Sequence, residues 1–201
     1  MEVRWVDEFD GVVGWMAREA MRRTSHALAA GGRVWLVDPV DAPGVEERVR
    51  ALGEPAGVIQ LLDRHARDAV ALAGRLGVPH HVVPVGPVPG VPFEFLPVVE
   101  RRLWRETALW WPERRLLACG DALGTIGYFR AGGEAVGVHP LLRLRPPRWL
   151  AQLEPLHVLV GHGPGVHGDE TPAAVADALA RARRRLPLAV VSAARALWSA
   201  R

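Results

Sequence analysis

The chain has 201 residues, of which 49% are hydrophobic and 23% charged; this fits one globular domain with its own core and excludes a disordered polymer. Net charge is only +3, and every basic side chain is arginine because lysine is absent. The densest basic run, Arg181 with Arg183 to Arg185, falls near a helix end, where it suits the helix dipole, so no nucleic-acid partner is expected. A single cysteine excludes an internal disulfide and suits a reducing compartment. The start of the chain lacks a signal-peptide pattern and no apolar run is long enough for a bilayer, so the expectation is a cytoplasmic protein with no membrane partner.

In chain order, Val3 to Val6 and Val12 to Ala17 read as short strands around a turn, with a third from Arg22 to Ala29. Gly31-Gly32 leads into Arg33 to Val37, a buried strand ending at Asp38. From Val45 helix and strand alternate: a helix from Val45 to Leu52, a strand from Gly57 to Leu62, and a helix from Ala66 to Leu76 that Gly77 and Pro79 stop. His80 to Val85 returns as a strand, and the proline-rich segment 86–92 is a surface loop. Strands follow over Val98 to Leu103, Glu106 to Trp111 and Leu116 to Cys119. The stretch from Tyr128 to Pro147 is irregular, and His157 to Val160 is one more buried strand. Asp169 to Pro172 opens a helix that Pro187 ends near Arg185, before a C-terminal helix over 188–200. A β-rich first part followed by β/α alternation argues for two face-to-face sheets with helices outside.

Three of these strands end in metal-type ligands. Leu61-Leu62 runs into Asp63, His65 and Asp68; Cys119 is followed by Gly120-Asp121; and Val160 is followed by Gly161-His162-Gly163. Strand ends bearing Asp and His that converge on one point are what a metal site needs. Other histidines offer less: His80 and His81 point to opposite strand faces, and His26, His139, His157 and His167 lack partners at ligand spacing. Cys119 is a small core residue. Ser25 and Ser192 lack the Gly-x-Ser-x-Gly context of a serine hydrolase.

Four anchors in order resemble the metallo-β-lactamase-fold hydrolase superfamily over about residues 10 to 185: Val34 to Asp38, the Asp63-Arg64-His65-Ala66-Arg67-Asp68 loop, the hairpin running from Ala108 to Gly120-Asp121, and Gly161-His162. The resemblance implies a single domain over residues 1–201, an α/β fold built as an αββα four-layer sandwich, with two mixed sheets and helices on the outer faces. It also implies a degenerate metal site. Asp63 stands where the family loop has its first histidine, His65 keeps the second, Arg67 replaces the aspartate and Asp68 the last histidine. Arg102 falls where a further histidine is expected, whereas Asp121 and His162 match.

Two readings stay open. In one, some of Asp63, His65, Asp68, Asp121 and His162 hold at most one divalent ion, zinc, manganese or iron, for hydrolysis of an ester, amide or phosphoester. Asp121, His162 and His65 then carry the chemistry, while Arg67 and Arg102 hold an anionic substrate. In the other, no metal binds, Arg67 and Arg102 pair with Asp63, Asp68 and Asp121, and the arginine-lined cleft of an inactive protein takes a small anion or a partner protein. Eight tryptophans, with at least one of Trp110 and Trp111 pointing outward, suggest a homodimer.

Overall fold

The computed structural model describes residues 1–198. Its first sheet has six strands in sequence order: β1 (Val3–Phe9), β2 (Val12–Ala17), β3 (Thr24–Ala30), β4 (Arg33–Val37), β5 (Glu54–Gln60) and β6 (His80–Val82). The first four pair antiparallel through tight connections, whereas β4, β5 and β6 run parallel. Parallel neighbours need crossovers, and helices α1 (Val45–Leu52) and α2 (Ala69–Leu76) supply them.

The second half continues with β7 (Glu94–Arg101), β8 (Trp104–Trp111), β9 (Leu116–Cys119), the short ribbon β10 (Leu123–Gly124) and β11 (Gly137–Val138), then β12 (His157–Val160) and β13 (Val166–His167). The larger of its sheets has the order β13-β12-β9-β8-β7. Helices α3 (Thr171–Ala180) and α4 (Leu186–Trp198) close the described chain.

Period-two alternation sorts the side chains into layers. Trp35 and Val37 of β4 face Leu116 and Ala118 of β9 in the core between the sheets, together with Ile59, Leu109, Trp111 and Leu159. Their neighbours Val34 and Leu36 turn outward onto Val45, Val49, Ala69 and Ala73 of α1 and α2. On the far side Leu117, Cys119, Val158 and Val160 pack under Val175, Ala178 and Leu179 of α3. Each large apolar side chain buried this way contributes roughly 1.5–3 kcal/mol. The αββα layering is the expected one.

Local differences have local causes. α2 starts at Ala69 rather than Ala66 because Arg67 has a positive φ of 41°, incompatible with a right-handed helix. It ends as expected on Gly77, whose φ of 67° lets its N–H cap Ala73 and Gly74. β7 and β8 are longer than expected and meet at Arg102-Leu103. Pro187 does not end a helix; it sits in the first turn of α4, where its missing N–H costs nothing. The expected end of that helix at residue 200 lies outside the described residues. Neither Trp110 nor Trp111 reaches solvent, at 8% and 6% exposure, because the helical layer covers one and the opposite sheet the other. Among the described residues no helix is long and apolar enough to cross a membrane.

Candidate metal centre

His65, Asp121 and His162 meet at the end of the sandwich where β5, β9 and β12 terminate, and one ligand atom from each lies within 4.8 Å of the others. Each follows a strand whose hydrophobic run fixes its position. Val160 and Cys119 are register partners in parallel strands, so Asp121 and His162 leave the sheet side by side. Gly161 makes the approach possible: a Cβ there would lie 2.5 Å from Gly120 O and 2.8 Å from His65 Cε1. The loop is then pinned to the other sheet, with Thr24 N donating to Gly161 O at 2.8 Å and Gly163 N to Arg22 O at 3.0 Å.

Both imidazoles are oriented from behind. His65 Nδ1 is 2.8 Å from Asp38 Oδ2, while Asp38 Oδ1 accepts from Leu61 N at 2.8 Å. His162 Nδ1 is 2.7 Å from Met21 O. A carbonyl oxygen only accepts, so His162 Nδ1 carries a proton, and in the neutral ring Nε2 is the atom with the lone pair; the Asp38 carboxylate favours the same tautomer for a neutral His65. Each Nε2 lies within ion-pair reach of Asp121 Oδ1, at 3.3 Å, but among the described residues no donor meets this buried oxygen with hydrogen-bond geometry.

The two imidazole-to-carboxylate separations match the edge, roughly 3.3–3.4 Å, of a tetrahedron with bonds of about 2.0–2.1 Å, and the ligand nitrogens of the two imidazoles lie within 4.8 Å of each other. Two inward lone pairs and an orphaned carboxylate oxygen are a donor set that could bind a metal ion. Burial alone would raise the Asp121 carboxyl, but His162 and His65 outweigh it and hold the group well below the usual carboxylate range. For His65, burial and Arg67 lower the ring, while Asp38 and Asp121 raise it more.

No family model matches the sequence, and neither does any curated protein. Solved structures do resemble it. A metallo-β-lactamase from Pontibacter korlensis superposes with a TM-score of 0.59 at 11% identity, over 89% of this chain and 99% of its own. The FIM-1 metallo-β-lactamase from Pseudomonas aeruginosa, in a mono-zinc form, gives 0.57 at 13% identity, over 91% and 97%. The chain has the metallo-β-lactamase fold. The same fold serves the chemotaxis sensor ODP from T. denticola in its apo state, with a TM-score of 0.58 at 13% identity over 89% and 93%.

Within this metallo-β-lactamase fold, the other sequence-selected residues lie around the trio rather than in it. Asp63 Oδ2 accepts from Arg105 N, and Asp68 Oδ2 accepts from Asp41 N, both at 2.8 Å; neither carboxylate joins the three donors. Arg67 does not pair with Asp63, Asp68 or Asp121. Its guanidinium donates instead to Thr24 O at 2.5 Å, Asp38 O at 2.7 Å and Gly161 O at 2.9 Å, so it ties the ends of three strands together. Arg102 is exposed in the β7–β8 turn.

Sequence reasoning missed four contributors. Arg64, although exposed, lies 3.6 Å from Asp121 Oδ2 and 4.8 Å above the Trp104 ring. Glu106 is buried at 1% exposure and accepts from Asp121 N and Ala122 N through Oε1 and from Trp104 Nε1 through Oε2. It therefore sets the backbone that presents Asp121. His139 and Phe129 pack beside the trio, with Phe129 stacked on His162 at 5.6 Å and 5.5 Å from His139. A readable signal existed for Glu106: a lone acid just before the mostly apolar end of its strand, Thr107 to Trp111, two residues from Trp104 and hence on its strand face.

Proposed function

We propose that the chain is a metal-dependent hydrolase with a single ion held by His65, Asp121 and His162, acting on an ester, amide or phosphoester. The observation that carries this reading is the convergence of two pre-oriented imidazole Nε2 atoms on an unpartnered carboxylate oxygen. Two nitrogens and one oxygen suit zinc first, then iron or manganese. When bound, such an ion supplies Lewis acidity and acidifies water. The chain's own residues do the rest: Asp38 and Met21 O keep both rings in the binding tautomer, and Glu106 fixes the Asp121 loop. Arg64 at the mouth is the cation placed to receive an anionic substrate group.

The one-metal form reported for FIM-1 shows that a neighbour of this fold exists with one zinc, and Arg67 occupies the loop position of a further ligand here. The place we assign to a small anion is the cleft of about 370 Å³ where Arg101, Arg102 and Arg105 meet Glu100 and apolar residues such as Val83 and Val99. Activity is measured on protein stripped by chelator and reloaded with zinc, manganese or iron, using ester, amide and phosphodiester probes. Metal-restored hydrolysis that Asp121→Ala abolishes supports the proposal; hydrolysis that survives both chelation and Asp121→Ala refutes it.

The alternative is a non-catalytic sensor or binder. The neighbouring chemotaxis sensor favours it, as does the closure of the trio, whose side chains are only 8%, 14% and 10% exposed for His65, Asp121 and His162. Ion binding without turnover of any probe would select it. A homodimer would have to use surfaces other than the buried Trp104, Trp110 and Trp111; Trp198, at 80% exposure, is the tryptophan available for one.

A further inference from the structure

The hairpin that presents His162 carries a second pair of imidazoles at its base. β12 and β13 run antiparallel with His157 directly opposite His167, which puts both side chains on one face at short range. Their Nδ1 atoms are 3.2 Å apart, a hydrogen bond between the two rings that an incoming ion would replace, contrary to the expectation that these histidines lack partners.

The chemistry behind the pair resembles that behind His65. His167 Nε2 lies 3.1 Å from Oδ1 of Asp7, a side chain only 3% exposed. Asp7 also accepts from Gly165 N at 2.8 Å and faces His26 Nε2 at 3.1 Å through Oδ2. The Asp7 carboxylate thus accepts from a backbone N–H and faces two imidazoles. His167 Nε2 must then carry a proton, which leaves Nδ1 a lone pair aimed at His157. The plane of His157 is fixed by stacking on Phe9 at 4.4 Å. The 3.2 Å gap again approximates the ligand-to-ligand edge, roughly 3.3 Å, of an imidazole-bound transition metal. His167 is 30% exposed, so an ion can enter and keep water in its remaining positions.

We propose that His157 and His167 form a second transition-metal site, a cross-strand two-imidazole chelate backed by Asp7, separate from the His65–Asp121–His162 centre. Imidazole pairs favour copper(II) over nickel or zinc. An ion there would clamp the two strands flanking Gly161 to Gly165, the loop that holds His162, and so restrict how that loop moves.

The test is a copper(II) and zinc titration of tag-free, chelator-stripped Asp121→Ala protein, with copper EPR as the second readout. The expected result is one ion per chain with two nitrogen ligands, its affinity falling at least tenfold in Asp121→Ala proteins that also carry His157→Gln or His167→Gln. The same substitutions in the otherwise wild-type chain should remove one bound ion and leave one, which gives the reading without the Asp121 change. Absence of stoichiometric binding to Asp121→Ala protein that retains its native circular dichroism spectrum, or affinity unchanged by both histidine substitutions, would overturn the proposal. Asp121→Ala still leaves His65 and His162, so the assignment rests on the loss caused by His157→Gln and His167→Gln, an outcome that does not depend on the proposed hydrolase.

Discussion

Replacing Glu106 by Gln separates the cost of a buried charge from the value of its hydrogen bonds. Burial first, and then the Asp121 charge, raise the Glu106 carboxyl to about 7 from an ordinary 4.5, against the opposing pull of Ala122 N–H and the Trp104 indole. Between those values the folded chain holds a proton that the unfolded chain has lost. Stability from this group is therefore fully present below about pH 4.5 and declines as pH rises to about 7. The span is worth on the order of 3 kcal/mol. Glutamine keeps the shape but turns an amide NH2 toward one of three N–H donors, a pH-independent loss of about 1–3 kcal/mol. The variant should thus be less stable than wild type near pH 4.5 and equal or better near pH 7.5. Urea denaturation with chelator present, across that range, reads the difference directly. A wild-type-minus-variant difference that stays constant with pH would refute the reasoning.

Three further substitutions probe the surroundings of the trio. Arg67→Lys should lower stability by about 3 kcal/mol, because one ammonium cannot serve the carbonyls of Thr24, Asp38 and Gly161 together, while ion stoichiometry is unchanged; denaturant melts and a zinc titration check both halves. Asp38→Asn should weaken ion affinity about 10–100-fold by releasing the His65 tautomer, as read by competition with a chromogenic chelator. Gly161→Ala should displace His65 and abolish ion binding at a stability cost of about 1–3 kcal/mol, since its Cβ has no room beside Gly120 O and His65 Cε1; calorimetry and the same titration test it.

The strands were legible because they are buried on both faces: Val34 to Val37, Leu116 to Cys119 and Val158 to Val160 are continuous apolar runs in the sequence and central strands in the sheets. The ligands at two of those strand ends, Asp121 and His162, were legible for the same reason. The loop 63–68 was legible only in part: His65 was chosen rightly, but a string of Asp, Arg and His does not say which carboxylates turn inward, and contacts to distant groups decide that. His65 turns in, whereas Asp63 and Asp68 bond to backbone groups. Long-range partners were invisible too: Asp7 meets His26, Gly165 and His167 only after both sheets are assembled.

The most direct measurement of the central claim is zinc-edge X-ray absorption and anomalous diffraction on crystals of the zinc-loaded protein. The expected density is an ion bonded at about 2.0–2.2 Å to His65 Nε2, His162 Nε2 and a carboxylate oxygen of Asp121, with Asp63 and Asp68 outside its coordination sphere. A fully loaded crystal with no anomalous peak between those three side chains, or with an ion there held by Asp63 or Asp68 instead, would contradict it.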